Sequence, residues 1–120
     1  ALGGDMFNDP LPNGADVISL VRILHDHDDE SVMRLLRAAR RAITSDGLLL
    51  VAEPMAEPGA APGVGAYFHL YLWAMRRGRP RSAQRIQQML EAAGFADVRE
   101  RCTYQPLLVR VLTARPAAAA

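Results

Sequence analysis

VISLVRILHDHDD, residues 17–29, opens as an uncharged, β-rich run from Val17 to Val21 and ends in His25, Asp26, His27, Asp28 and Asp29. A buried strand that empties into polar residues is how open α/β sheets present chemistry, because ligands bind beyond the carboxyl ends of their strands. Read this way, His25 stands at a sheet edge. The competing reading, which the local pattern alone favours, is a polar helix start carrying two incidental histidines.

Working outward, Asp28 or Asp29 is placed to cap a helix. Val32, Leu35, Leu36, Ala39 and Ile43 then recur at the helical period and make one buried face. Arg34, Arg37, Arg40 and Arg41 lie mostly off that face and read as its solvated side. Asp46-Gly47 turns the chain. Leu48 to Ala52 is a continuously apolar strand, as expected where both faces are covered. Strand, helix and strand within this length predict a βαβ unit with parallel strands and a right-handed crossover. Glu53, just before Pro54, therefore lands at the same sheet edge as His25.

Upstream, Gly3-Gly4 and the turn-rich link Asn8 to Gly14 precede the first strand, expected over 17–22. Downstream, Pro54 to Gly65 reads as a loop. Residues 66–75, AYFHLYLWAM, read as an aromatic helix that either packs in a core or subunit contact or walls a hydrophobic acceptor pocket. A basic turn around Gly78 and Pro80 leads to Ser82, a good helix cap. Ile86, Met89, Leu90 and Ala93 form the next buried stripe, closed by Gly94. Strands are expected over 97–104 and 107–113, paired as an antiparallel hairpin. Arg115 to Ala120 reads as a frayed tail.

The 120 residues carry a formal net charge of +1, and all 14 strongly basic residues are arginine. The absence of lysine excludes Schiff-base chemistry and a Walker-type phosphate lysine in these residues. The charge balance gives no pull of the whole chain toward nucleic acid. The arginines of 76–85 are suited to meet an anion or an anionic membrane surface. No apolar run approaches the length of a membrane span, and no secretory leader is read, so a cytoplasmic protein, at most peripheral to a membrane, is expected. The lone Cys102 excludes an internal disulfide and reads as a buried small hydrophobe.

His25 and His27 would converge on one ion only in a special loop, and no third ligand stands beside them, so no metal is expected. There is no G-x-S-x-G elbow and no G-x-G-x-x-G after a strand. General-base chemistry remains for His25, since an imidazole titrates near neutrality. Either Glu53 or Asp26 is suited to orient the ring, and the sequence does not choose between them. Outside enzymes, the residues also fit a packing or interaction domain that docks through the 66–75 helix.

Gly3-Gly4-Asp5-Met6-Phe7, Pro10-Leu11-Pro12, Ala15-Asp16, Leu24-His25-Asp26, Gly47 to Glu53 and Ala92-Ala93-Gly94-Phe95 stand in a particular order and spacing. The ordered set resembles S-adenosylmethionine-dependent O-methyltransferases of the plant caffeic-acid and bacterial antibiotic or carotenoid type. Pro106 to Val111, with Gly78-Arg79-Pro80-Arg81-Ser82, is most similar to the bacterial carotenoid branch.

The resemblance implies a Rossmann-like class I methyltransferase sheet, of which this chain is the C-terminal portion. Residues 1–116 would be catalytic-domain sequence and 117–120 a frayed end. S-adenosylmethionine is implied as cofactor, and a small hydrophobic hydroxylated molecule, a carotenoid or else a phenol or polyketide, as acceptor. A homodimer is implied for the full-length enzyme. His25 matches the family's catalytic base, Glu53 the carboxylate that orients it, and Asp26 a supporting neighbour. Asp5 and Met6 match residues lining the cofactor's adenine, and the segment of Tyr67 and Tyr71 matches a wall of the acceptor pocket. His27 stands where tryptophan is common, and Pro80 where the plant enzymes carry a second carboxylate, so support of the base is expected to rest on Glu53. The family's glycine-rich cofactor loop and helical dimerisation domain lie upstream of such residues. The 120 residues alone are therefore expected to bind cofactor weakly and not to turn over.

Overall fold

The structure is a computed structural model that describes residues 1–56, 70, 78–106 and 109–119. The aromatic helix expected over 66–75, with Tyr67 and Tyr71, lies outside the described residues apart from Leu70.

Among the described residues the elements are β1 (Ala15–Val21), one 3-10 turn (Leu24–Asp26), α1 (Asp29–Ala42), β2 (Ile43–Glu53), α2 (Ala83–Ala92), β3 (Phe95–Arg101) and β4 (Arg110–Pro116). The sheet has the order β1-β2-β4-β3. β1 and β2 are parallel, with Val17 opposite Leu48 and Val21 opposite Ala52. β4 runs antiparallel to both β2 and β3. This is the expected βαβ unit and terminal hairpin, with the last strand inserted between β2 and β3.

Local chemistry explains the helices. The Asp28 carboxylate accepts from the Ser31 amide at 2.8 Å, and Asp29 and Glu30 occupy the first turn of α1 while Arg40 and Arg41 occupy its last. That arrangement satisfies a free donor and opposes the helix dipole at both ends. Ser82 caps α2 in the same way, accepting from the Arg85 amide at 3.1 Å. Gly94, with φ +94, ends the run in the left-handed conformation that glycine adopts without strain.

The helices share one core. Val32, Leu35, Leu36 and Ala39 of α1 cluster with Ile86, Met89 and Leu90 of α2 over Leu49, Val51, Leu112 and Ala114 of the sheet. Leu36 and Leu49 are wholly buried. Truncating Leu36 to alanine removes apolar contacts and leaves a void, so unfolding in urea should show a loss of about 2–5 kcal/mol. A loss well below that would mean the α1 seam collapses to fill the space. The other face of the strands is covered less than expected: Leu48 and Leu50 are half-buried, and Val17 and Val21 are exposed.

Several boundaries differ from the sequence reading. Ile43 is buried but begins β2 and does not extend the helix. The pairing then jumps from Ala15–Ile43 to Val17–Leu48, so residues 44–47 bulge out and the Asp46-Gly47 turn lies inside the strand. A side chain at Gly47 would meet Ile43 Cγ1 at 2.5 Å, so any larger residue in the bulge has to displace the buried Ile43 side chain. β3 starts at Phe95, before Asp97, and absorbs a bulge there with Asp97 at φ 51. It ends at Arg101, and Cys102, one residue past the ladder, is exposed, not buried as expected. β4 runs through Arg115 and Pro116, and Ala117 donates to the Gly94 carbonyl, so the tail begins later than Arg115. Arg40 is not on a solvated face: its guanidinium bonds the carbonyls of Gly94 and Ala117 at 2.8 and 3.0 Å, tying α1 to the end of the sheet.

Candidate active site

The parallel pairing of β1 and β2 brings two distant residues to one edge. Along β2 the residues 49, 51 and 53 share a face, so Glu53 continues the row of Leu49 and Val51 and is 1% exposed. Beside it, β1 ends by kinking. Arg22 takes φ 54, unusual for a residue with a Cβ, while its amide still donates to the Ala52 carbonyl at 2.8 Å. The kink turns the next amides toward β2. Glu53 Oε1 accepts from the amides of Ile23 at 2.9 Å and Leu24 at 2.7 Å. Glu53 Oε2 meets Nδ1 of His25 at 2.5 Å. A carboxylate buried this deeply requires such partners, since desolvating it alone would be costly.

His25 sits in the 3-10 turn and is 6% exposed. Its Nε2 lies 3.2 Å from Asp26 Oδ1, whose side chain is nearly half exposed. The choice between Glu53 and Asp26 that the sequence left open is thus resolved by division: Glu53 contacts one ring nitrogen from within the core, and Asp26 the other from the surface. His27 does not converge with His25. Its ring packs edge-on against Phe7, with centroids 4.9 Å apart.

Asp5 and Met6 lie on the opening loop. The Asp5 carboxylate accepts from the Phe7 amide at 2.9 Å and the Asn8 side-chain amide at 2.7 Å. The Phe7 amide first, and then the Asn8 side chain, hold its carboxyl below the usual aspartate range. Asp5 and Met6 line a hollow of about 260 Å³ with Gly3 and Gly4. Nothing described brings this hollow into contact with His25. Arg34 fastens the loop to α1 by donating to the Phe7 carbonyl at 3.0 Å.

One residue at the site was not singled out from sequence. Arg81 was read as part of a basic turn, yet it is 5% exposed. Its guanidinium donates to the carbonyls of Leu24 and His27, both at 2.7 Å, and to Asp29 Oδ1 at 2.8 Å. Asp29 also meets Arg79 and Arg85. Burial raises the Asp29 pKa, but the hydrogen bonds from Arg85 and Arg81 outweigh it and leave the carboxyl below its ordinary value. The available signal was an arginine set directly before a helix cap, where its side chain can turn back on the preceding loop.

The Rossmann-like mixed sheet, with its parallel β1–β2 pair and antiparallel C-terminal hairpin, has the form of a class I methyltransferase core. Comparison with known families agrees: residues 1–96 match the O-methyltransferase domain, and the chain belongs to that family. It is 44% identical over 113 residues to demethylspheroidene O-methyltransferase of Rhodobacter capsulatus, covering 92% of this chain and 28% of that protein. The corresponding Cereibacter sphaeroides enzyme is 43% identical over 114 residues, covering 93% of this chain and 30% of the relative. The chain thus spans under a third of these relatives. The crystal structure of human N-acetylserotonin methyltransferase in complex with S-adenosylmethionine superposes with a TM-score of 0.87 at 27% identity, covering 98% of this chain and 33% of that one.

Proposed function

We propose that the chain is part of an enzyme that transfers a methyl group from S-adenosylmethionine to the hydroxyl of a small hydrophobic acceptor, with His25 as general base. The observation that carries this reading is the buried His25–Glu53 pair at the open edge of the parallel strands. Glu53 takes both the Nδ1 contact and two backbone amides, so it fixes the ring and favours the tautomer with hydrogen on Nδ1. Proton acceptance therefore falls to Nε2. Because Asp26 already lies near Nε2 and is half exposed, it is placed to swing aside as an acceptor hydroxyl approaches.

S-adenosylmethionine supplies an electrophilic sulfonium methyl, whose S–C bond breaks as the C–O bond forms. Asp5 and Met6 fit the base end of such a nucleoside. An ionised carboxylate accepts from an exocyclic amine, and a thioether offers a soft apolar surface. Both residues line the same hollow, and Asp5 is held in its ionised form. His25 then takes the acceptor's proton, and alignment supplies much of the remaining rate.

A hydroxylated carotenoid is the proposed acceptor, supported by the similarity to the two demethylspheroidene O-methyltransferases. A phenolic acceptor is the second reading, supported by the likeness to N-acetylserotonin methyltransferase. The full-length gene product, given labelled S-adenosylmethionine and a panel of hydroxylated acyclic carotenoids and simple phenols, should label the carotenoids preferentially. Preferential labelling of phenols would establish the second reading, and no label on any acceptor would count against both.

A further inference from the structure

We propose that the segment Gly78–Arg81 is the positioning clamp of the base, with Arg81 as the positioning residue that sets where His25 stands. This rests on the reading of His25 as general base. The two carbonyls that Arg81 holds, those of Leu24 and His27, bracket His25 on either side. One planar guanidinium therefore spans the turn that carries the imidazole. Its remaining contact, Nε to Asp29, anchors the clamp to the first turn of α1.

The same residue also reaches the other half of the pair. The Arg81 carbonyl accepts from the Ala56 amide at 3.0 Å, three residues beyond Glu53. Arg81 thus bonds both segments whose relative position fixes the His25–Glu53 contact. Gly78 completes the arrangement from the opposite end of the segment. A Cβ there would stand 2.2 Å from the His25 carbonyl oxygen and 3.1 Å from Asp26 Cα, so the backbone of this segment lies directly against the base's own peptide.

The chemistry suits positioning more than binding. Arg81 is buried and its donors are directed at protein acceptors, so it does not face an acceptor molecule. A guanidinium stays protonated across the working pH range, so the clamp holds whatever the state of the imidazole. Its planar fork sets donors on three separate nitrogens toward two carbonyls and a carboxylate, a spread that the single nitrogen of an ammonium does not reproduce. A base misplaced by a fraction of an ångström loses alignment with the proton it must take.

The test uses the full-length gene product and four variants: Arg81→Lys, Gly78→Ala, Arg85→Gln and His25→Ala. Arg85→Gln removes only a half-exposed partner of Asp29 and should leave turnover unchanged. Arg81→Lys keeps the charge but loses the fork, and should lower kcat by about 10- to 100-fold while S-adenosylmethionine affinity is retained. The pH profile of kcat should be displaced as well. A purely structural role would lower the melting temperature without moving kcat per folded molecule or that profile. If Arg81→Lys does not fold, Gly78→Ala decides, since it pushes on the same turn from a residue outside any helix or strand. Folded Arg81→Lys or Gly78→Ala enzyme with wild-type kcat and pH profile, where His25→Ala has lost turnover, overturns the clamp. If His25→Ala itself keeps wild-type turnover, the reading of the base fails, and the clamp with it.

Discussion

Glu53→Gln should lower kcat of the full-length enzyme by about 10³- to 10⁴-fold while leaving the fold intact, as expected when an orienting carboxylate becomes an amide and the histidine takes the wrong tautomer. The reason lies in the direction of the two donors that Glu53 already serves. The amides of Ile23 and Leu24 both point at Oε1, so a glutamine must keep its oxygen there. Its NH₂ then faces Nδ1 of His25, which has to accept. The ring's hydrogen moves to Nε2, the atom assigned to take the acceptor's proton. Rotating the amide to restore the first tautomer would set its NH₂ against two backbone donors in a buried site, at a cost of about 1–3 kcal/mol for each group left unsatisfied. Glutamine is nearly isosteric with glutamate, so packing around the 1%-exposed side chain changes little. Single-turnover transfer from labelled S-adenosylmethionine, beside the cofactor's dissociation constant, separates lost chemistry from lost binding. A folded Glu53→Gln enzyme within tenfold of wild type would mean that the tautomer is not what Glu53 provides.

The βαβ unit was legible because each of its parts has a local signature. The apolar run Leu48–Ala52, the helical spacing of Val32 to Ala39 and the Asp28 cap need no distant information. From that topology alone, Glu53 could be placed beside His25, 28 residues away. What stayed hidden depends on contacts across the chain. Cys102 looked like a strand residue, but the β3 ladder ends before it. Arg110 does stand in β4, and what the sequence did not show is that its guanidinium meets both Glu100 oxygens, at 2.6 and 2.7 Å. Arg40 and Arg81 were read as surface charge because nothing local shows a carbonyl waiting to be bonded. An arginine turns inward when distant segments present carbonyls that can take a further donor, and those of Gly94, Leu24 and His27 come within its reach only once the sheet has formed. The bulges of β2 and β3 escaped for a related reason: register is set by the partner strand.

His25→Ala is expected to reduce kcat by about 10²- to 10⁴-fold, the range a well-placed general base supplies. The same change leaves Glu53 Oε2 buried without the imidazole, so stability should fall as well, by about 1–3 kcal/mol from the unsatisfied carboxylate oxygen alone. The two effects separate in the double variant. Combining His25→Ala with Glu53→Gln removes the buried charge that the first change strands, so the double variant should be more stable in urea than His25→Ala by itself. If Glu53 acts on the reaction only through the ring, as proposed, kcat of the double variant is no lower than that of the worse single variant, because residues acting as one unit are not additive. If the two losses in kcat instead multiply, Glu53 has a role in turnover independent of His25. If His25→Ala retains most of its kcat, proton removal is not the source of the rate, and alignment of the acceptor oxygen with the methyl carries the reaction.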